Sequence, residues 1–283
     1  MPRWLRWIIW GLAALAGLIA VAAVAIFVRS EAALNRRYEA PAVSVRVPQD
    51  ADSIAEGRRL ATVYGCMDGC HGRRGEGLVL FDEPVIARIT APDLGAAARR
   101  YSDSQLIDII RNGLRPDGTS VFVMPSEAFA HLTDADVGRI VSYLRTLSPQ
   151  GGPGPSVELG PVGRIGVATG KFRTAAEMIR DGVVPAPART EPDARGRYLA
   201  RTVCAECHSQ DLKGAATPDF VAPDLGVTAA YSRDDFFRLM RTGTALGGRE
   251  LGVMRVRAQR NLSHLTDDEI DALYGYLHGL ARN

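Results

Sequence analysis

The residues of this chain whose type and spacing can do chemistry are its four cysteines, which fall in two pairs. Cys204-Ala205-Glu206-Cys207-His208 has the form C-x-x-C-H, the attachment pattern of a c-type haem. Two thiols about one helical turn apart can each reach one vinyl group of the same porphyrin. The adjoining histidine then turns a ring nitrogen toward the iron. Cys66-Met67-Asp68-Gly69-Cys70-His71 is the same device with one extra residue between the thiols. A zinc half-site would need two more ligands per pair, and the chain has no other cysteine. A thioredoxin-like redox pair belongs after a strand in a βαβ setting, which the sequence does not offer. Two pairs, each followed at once by histidine, predict two covalent haems c. Cys66 and Cys70 hold one and Cys204 and Cys207 the other, with His71 and His208 on the irons.

The elements that must position these groups occur twice. Ala91-Pro92-Asp93-Leu94-Gly95 returns as Ala222-Pro223-Asp224-Leu225-Gly226, and Tyr101-Ser102 as Tyr231-Ser232. At the latter shift Arg111 meets Arg241, Gly113 meets Gly243 and Met124 meets Met254. His131-Leu132-Thr133-Asp134 answers to His264-Leu265-Thr266-Asp267, and Tyr143-Leu144 to Tyr276-Leu277. The chain is two homologous domains. The repeat nominates Met124 and Met254 as sixth ligands to iron. Met240 is paired by the repeat with Ile110, which marks it as core. His131 and His264, just before the cap of the last helix, are rivals at positions where a surface or interface histidine is the commoner outcome.

Each domain reads as helices. Ser53-x-x-Glu56 resembles a capping box at the start of the first, and Pro192 precedes a helix running to Cys204. Thr266-x-x-Glu269 caps the last helix, with Thr133-x-x-Asp136 as its weaker counterpart. Val137, Ile140, Val141, Leu144 and Leu147 recur at three and four, the mark of one buried helical face. No alternating strand pattern of useful length appears, so the expected fold is all-α. Ser148 to Pro155 is rich in Gly and Pro and reads as a linker that continues to about Glu191, with one short helix near Thr174 to Arg180. Gly166-x-x-x-Gly170-Lys171 is one residue short of a phosphate loop, and Phe172 stands where Ser or Thr should, so no nucleotide site is read there.

Trp7 to Val28 is a run of 22 residues without a charge. As a helix it spans roughly 33 Å, against a hydrocarbon core of about 30 Å. Trp4, Trp7 and Trp10, the only tryptophans, would sit at one interface. A cleaved signal ending near Ala20-Val21-Ala22 is the competing reading, but the apolar run continues past it, which favours an uncleaved anchor. Beyond Arg29 the chain carries 31 basic and 32 acidic groups, a balance that implies no basic face for nucleic acid. The expected organisation is an anchor over 1–30, a spacer over 31–49, haem domains over 50–148 and 192–283, and a linker over 149–191.

The chain resembles the class I cytochrome c family over roughly 50–148 and 192–281. The likeness lies in Gly57-Arg58-Arg59-Leu60 and Gly196-Arg197-Tyr198-Leu199 before the cysteine pairs, the Pro-x-Leu after each, the Met, and the closing Leu-Thr-Asp helix. The three-residue spacer between Cys66 and Cys70 departs from the family. The resemblance implies helices wrapped around each haem, which answers the shortage of aromatic residues (7%) by letting a porphyrin fill the core. It also implies that Met124 and Met254 are axial ligands, and that Pro92 and Pro223 accept a hydrogen bond from His71 and His208 through their carbonyls.

The expected function is one-electron relay by two haems c at the periplasmic face of the inner membrane. Haem attachment outside the cytoplasm puts the N-terminus inside and both domains in the periplasm. Expected partners are the membrane and a redox donor and acceptor: a dehydrogenase, a quinol-oxidising complex or a terminal oxidase. Two alternatives stay open. One is a fixed subunit of an oxidase or dehydrogenase complex, where the layout suits the oxidase subunit better. The other is a dihaem peroxidase or thiol-oxidising enzyme with one open iron.

Overall fold

The computed structural model describes residues 1–41, 44–182, 193–216 and 220–280. Helix α1 (Arg3–Leu34) runs through the apolar segment with Trp4, Trp7, Trp10, Leu12, Leu18 and Val24 all exposed. At about 1.5 Å per residue its 32 residues are more than long enough to cross a bilayer.

The first domain opens with α2 (Ala51–Val63). Its N-cap is Asp50, whose carboxylate accepts from the Ser53 backbone N–H at 2.8 Å. The expected Ser53 box thus lies inside the helix, three residues past the cap. After the first cysteine pair come β1 (Leu78–Glu83) and β2 (Ala87–Ala91), then α3 (Leu94–Arg100) and α4 (Asp103–Ile107). Helix α4 runs on as one wide π-type turn to Asn112. A short α5 (Ser126–Phe129) leads to α6 (Asp134–Thr146), which Thr133 caps by accepting from Asp136 N–H. Gly57 is where α2 and α6 cross: a Cβ there would lie 1.9 Å from the Arg139 carbonyl oxygen. Gly196 does the same in the second domain, 2.1 Å from the Ala272 carbonyl oxygen.

The expected helical fold holds, with one addition: β1, β2 and β3 (Ser156–Leu159) form a small antiparallel sheet in that order. Only β2 alternates in burial, while β1 is exposed along nearly its whole length, so the usual strand signature is missing. The stretch expected as linker is also largely structured. Asp93 caps α3 and accepts from Gln150 N–H at 2.6 Å, tying the Gly/Pro segment down before β3 joins the sheet. Then α7 (Pro161–Ala168) packs on α1, and α8 (Ala175–Gly182) packs on α5.

The second domain is α9 (Ala194–Leu199), a π-type turn over Ala200–Cys204, and α10 (Ala205–His208). Pro192, expected to precede this run, lies outside the described residues. A two-residue hairpin pairs β4 (Ala215–Ala216) with β5 (Val221–Ala222), followed by α11 (Arg233–Thr242), α12 (Val253–Arg260) and α13 (Asp267–Leu280). Met240 is buried beside Leu239, as its pairing with Ile110 required. Thr266 accepts from Glu269 N–H at 3.2 Å while the Glu269 carboxylate accepts from Thr266 N–H at 2.9 Å, a complete capping box.

The two domains share one apolar core, and the polar contacts across their seam obey the repeat. Arg59 and Tyr198 hold equivalent positions in the two Gly-Arg-x-Leu segments. Asp136 and Glu269 hold equivalent positions at the start of the two last helices. Arg59 donates to Glu269 at 2.7 and 3.0 Å, and Tyr198 donates to Asp136 at 2.5 Å. Arg195 adds a second cation to Glu269 at 2.9 Å, and Arg59 also donates to the His264 carbonyl at 3.0 Å.

Burial alone would raise the Glu269 carboxyl, but its bonds from Arg59 and the Thr266 N–H hold it below the usual glutamate value. Its contribution is therefore present above that usual value and is lost as pH falls through the lowered one. Glu269→Gln should cost about 2 kcal/mol at pH 7, since hydrogen bonds to charged groups are worth about 1.5–3. Guanidinium unfolding of the detergent-solubilised protein should show that gap narrowing as pH falls through the lowered native value of the Glu269 carboxyl.

Candidate functional site

Cys66 follows directly on α2, and the backbone around it takes up the extra residue of the spacer. Cys70 N–H donates to the Gly65 carbonyl at 2.9 Å and His71 N–H to the Cys66 carbonyl at 3.2 Å, both across five residues rather than four. Such π-type turns add one residue per turn without breaking the bonding pattern. Asp68 adopts a left-handed conformation inside the turn, and the Met67 side chain is buried in the core. In the second domain the wide turn precedes the motif instead, ending at Cys204, and α10 carries Cys207 and His208.

Both histidines are held the same way. Nδ1 of His71 lies 2.8 Å from the Pro92 carbonyl oxygen, and Nδ1 of His208 lies 2.8 Å from that of Pro223. A carbonyl only accepts, so Nδ1 carries the proton and donates, and Nε2 keeps a lone pair for a metal. Burial pushes both histidines below their ordinary value, outweighing the bond to the carbonyl, so both rings favour the neutral form at pH 7. The loops beyond close on the same strands. His71 and His208 accept through their carbonyls from Gly77 N–H at 2.8 Å and Gly214 N–H at 3.0 Å.

In the first domain Cys66, Cys70, His71, Pro92 and Met124 line one cavity of about 1150 Å³ counting its open mouth. Its other walls are largely apolar, among them Leu94, Leu106, Ile110, Phe129 and Leu144. Val123, just before Met124, is held at φ 72, a conformation that costs a β-branched residue about 1–3 kcal/mol. The bulge turns the chain at the cavity wall. A haem fits this donor set: two thiols, one neutral imidazole, one thioether and an apolar cleft. Burial pushes Cys66 and Cys204 up to about 12, so both stand as neutral thiols rather than reactive thiolates.

In the second domain Cys204, Cys207, His208 and Pro223 come together as in the first. Met254 stands half-buried in the first turn of α12, packed on the core. One turn later, the same helix brings Arg257 to Glu206, 3.3 Å away inside the second motif.

Arg257 is a residue that motif spacing does not reach. Of the arginines that follow Met254, Arg255 pairs with Glu250, and Arg257 turns into the seam between the two motifs. Its guanidinium lies against Gly65: a Cβ on that residue would be 2.1 Å from Nη1, and the φ of +75 demands glycine as well. Asn261 fixes it by accepting from Nη1 at 3.0 Å, while donating to the Thr62 and Met67 carbonyls of the first domain at 2.8 and 3.2 Å. The Arg257 charge opposes the upward push of burial on all four cysteines. Glu206, an acid inside the C-x-x-C spacer, was the signal that could have called for such a cation.

Arg257→Gln should therefore lower the reduction potentials at both sites together. The shift should be on the order of 1 kcal/mol, about 40 mV per electron, while Arg260→Gln moves neither. Spectroscopic redox titration resolves the two steps.

Comparison with known proteins follows the geometry. The cytochrome c family model matches residues 54–148 and 194–281. The chain is 28% identical over 257 residues to the fructose dehydrogenase cytochrome subunit of Gluconobacter japonicus, covering 81% of this chain and 52% of that one. It is 24% identical over 266 residues to the cytochrome c subunit of alcohol dehydrogenase (quinone) from Gluconacetobacter polyoxogenes, covering 82% and 57%. The gluconate 2-dehydrogenase cytochrome c subunit of Pantoea cypripedii is 23% identical, covering 80% and 59%. The chain thus spans little more than half the length of these relatives.

Proposed function

The chain belongs to the cytochrome c family through two tandem domains, and from that premise we propose that it is a membrane-anchored electron-transfer subunit working beside a dehydrogenase. One-electron uptake and release is the chemistry that two haems c supply when bound. Everything else is done by the chain. Cys66 and Cys70, and Cys204 and Cys207, are the attachment points. His71 and His208 are the neutral proximal ligands, oriented by Pro92 and Pro223. Met124 and Met254 complete a closed coordination sphere that leaves no position for substrate.

The observation that carries the reading is the meeting of both attachment segments at one seam. Arg257 touches the first motif at Gly65 and pairs with Glu206 in the second. Haems attached at these segments would both be held from one seam, the arrangement that suits a relay. The relatives named above are subunits of dehydrogenases, which favours that setting over the oxidase subunit suited by the layout alone. Haem attachment outside the cytoplasm places the domains in the periplasm, held to the inner membrane by α1, with the N-terminus cytoplasmic.

Isolation from membranes in mild detergent should bring down a dehydrogenase catalytic subunit, with two haems per chain by pyridine haemochrome assay. Recovery of the chain alone, or with a terminal oxidase, would overturn the partner. Met124→Ala should remove about half of the weak near-infrared sulfur-to-iron band and open one iron to carbon monoxide. Ready carbon monoxide binding by the unmutated protein would instead favour an enzyme with one open iron.

A further inference from the structure

Where α1 leaves the span, it does not stand free. Ser30, in its last turns, is fully buried beneath α7. Arg164 of α7 donates to the Ser30 hydroxyl at 2.9 Å, pairs with Glu31 at 2.8 Å and lies over the Phe27 ring at 4.3 Å. Phe27 is 20 residues beyond Trp7, or roughly 30 Å along the helix, which is the thickness of the hydrocarbon core. If the tryptophans mark one interface, the Phe27–Glu31 turn lies at the other, and α7 with it.

The side of α7 turned from α1 is apolar and uncovered. Val162 and Ile165 are each 46% exposed, and Phe172, packed against Gly166 just beyond the helix, is 43% exposed. The tip of the β1–β2 hairpin adds Val85 at 62% exposed, bound to the same helix by Val162 N–H donating to the Val85 carbonyl at 3.0 Å. Exposed Lys171 precedes Phe172 in the chain, and Arg36, Arg173 and Arg180 line a polar cleft beside the patch together with Glu177 and Asp181. An apolar surface bordered by long polar side chains, arginines in the majority, suits the boundary between acyl chains and headgroups.

We propose that this patch is seated in the bilayer leaflet from which α1 emerges, with lipid as its occupant. The inference rests on the anchor reading of α1. Its continuity with the span is the reason the occupant is lipid and not a protein: the same α7 that grips Phe27 and Ser30 presents Val162 and Ile165. The seat orders the two domains. The hairpin tip that enters the interface leads through the five residues of β2 to Pro92, the partner of His71. At about 3.3 Å per residue that strand holds the first site roughly 20 Å from the membrane surface. The first domain is the membrane-proximal one, and the second rides on it through the seam.

The test uses the full-length protein with its haems attached, whose native cysteines are then all consumed. Single cysteines at Ile165→Cys, Phe172→Cys and Val85→Cys are spin-labelled in vesicles of phosphatidylcholine with phosphatidylglycerol. Collision with oxygen is compared with collision with an aqueous nickel chelate. Labels at Leu18→Cys, inside the span, and Val221→Cys, exposed on the second domain, are the references. The seat predicts oxygen-to-nickel ratios at 165 and 172 several-fold above that at 221, approaching that at 18. Ratios equal to that at 221, with 18 still in lipid, overturn the seat and leave the anchor standing. A label at 18 that is aqueous or absent from the mature chain overturns the anchor and the seat together.

Discussion

The seam between the domains is the constraint on which the other features depend, and two reciprocal contacts lie at its centre. Arg59 reaches from the first domain to Glu269, and Tyr198 reaches from the second to Asp136. Equivalent helices thus exchange contacts with equivalent helix caps, the pattern of a two-fold dimer built within one chain. Both donors lie on the helices that lead into the cysteine pairs. Fixing those helices against one another brings the motifs to the same seam and leaves Arg257 room to bear on both. Glu269 is 3% exposed, so its charge must be compensated in place, and Arg59 and Arg195 compensate it. A seam held this way keeps the relative position of the two sites constant.

Burial does the rest of the chemistry without special residues. The histidines are neutral because they are buried, and correctly protonated because a proline carbonyl can only accept. The cysteines are neutral thiols for the same reason. Proline suits the carbonyl's position, since it fixes φ and places no competing N–H beside the acceptor. The same bonds recur in both domains, so the ligands' orientation follows from local backbone geometry and not from the seam.

The parts legible in the sequence were those written in local spacing. The cysteine pairs, the histidines, the Thr133 and Thr266 caps and the paired domains could be read by counting residues, while the part of Pro92 and Pro223 came through the family resemblance. What escaped depended on partners distant along the chain. β1 carries no alternation because both its faces are largely exposed, and β2 finds its other partner, β3, nearly 70 residues later in a Gly/Pro-rich stretch. Asp93 holds that stretch through backbone N–H groups, which leave no trace in side-chain pattern. Arg257 escaped because a charge among charges carries no signal until the fold shows Glu206 and Gly65 against it.

The repeat explains likeness, and the departures from it explain direction. Almost every departure lies in the first domain: the three-residue spacer, the three-stranded sheet, α7 and α8. The electrostatics depart too. Three residues after the proposed ligands, the first domain has Glu127 where the second has Arg257. One Glu127 oxygen is buried without a partner, and burial, with Glu206 nearby, raises its carboxyl, favouring the neutral acid. Arg257, by contrast, stays charged at any working pH. A carboxyl biased toward its acid form after Met124 and a fixed cation after Met254 make the two like copies differ in charge. The elaborated copy is the one fastened to α1, and the plain copy is the one turned away from it. Under the proposed anchoring by α1, such a pair would be tethered by its first copy and not free to diffuse between partners, which is what the subunit reading requires.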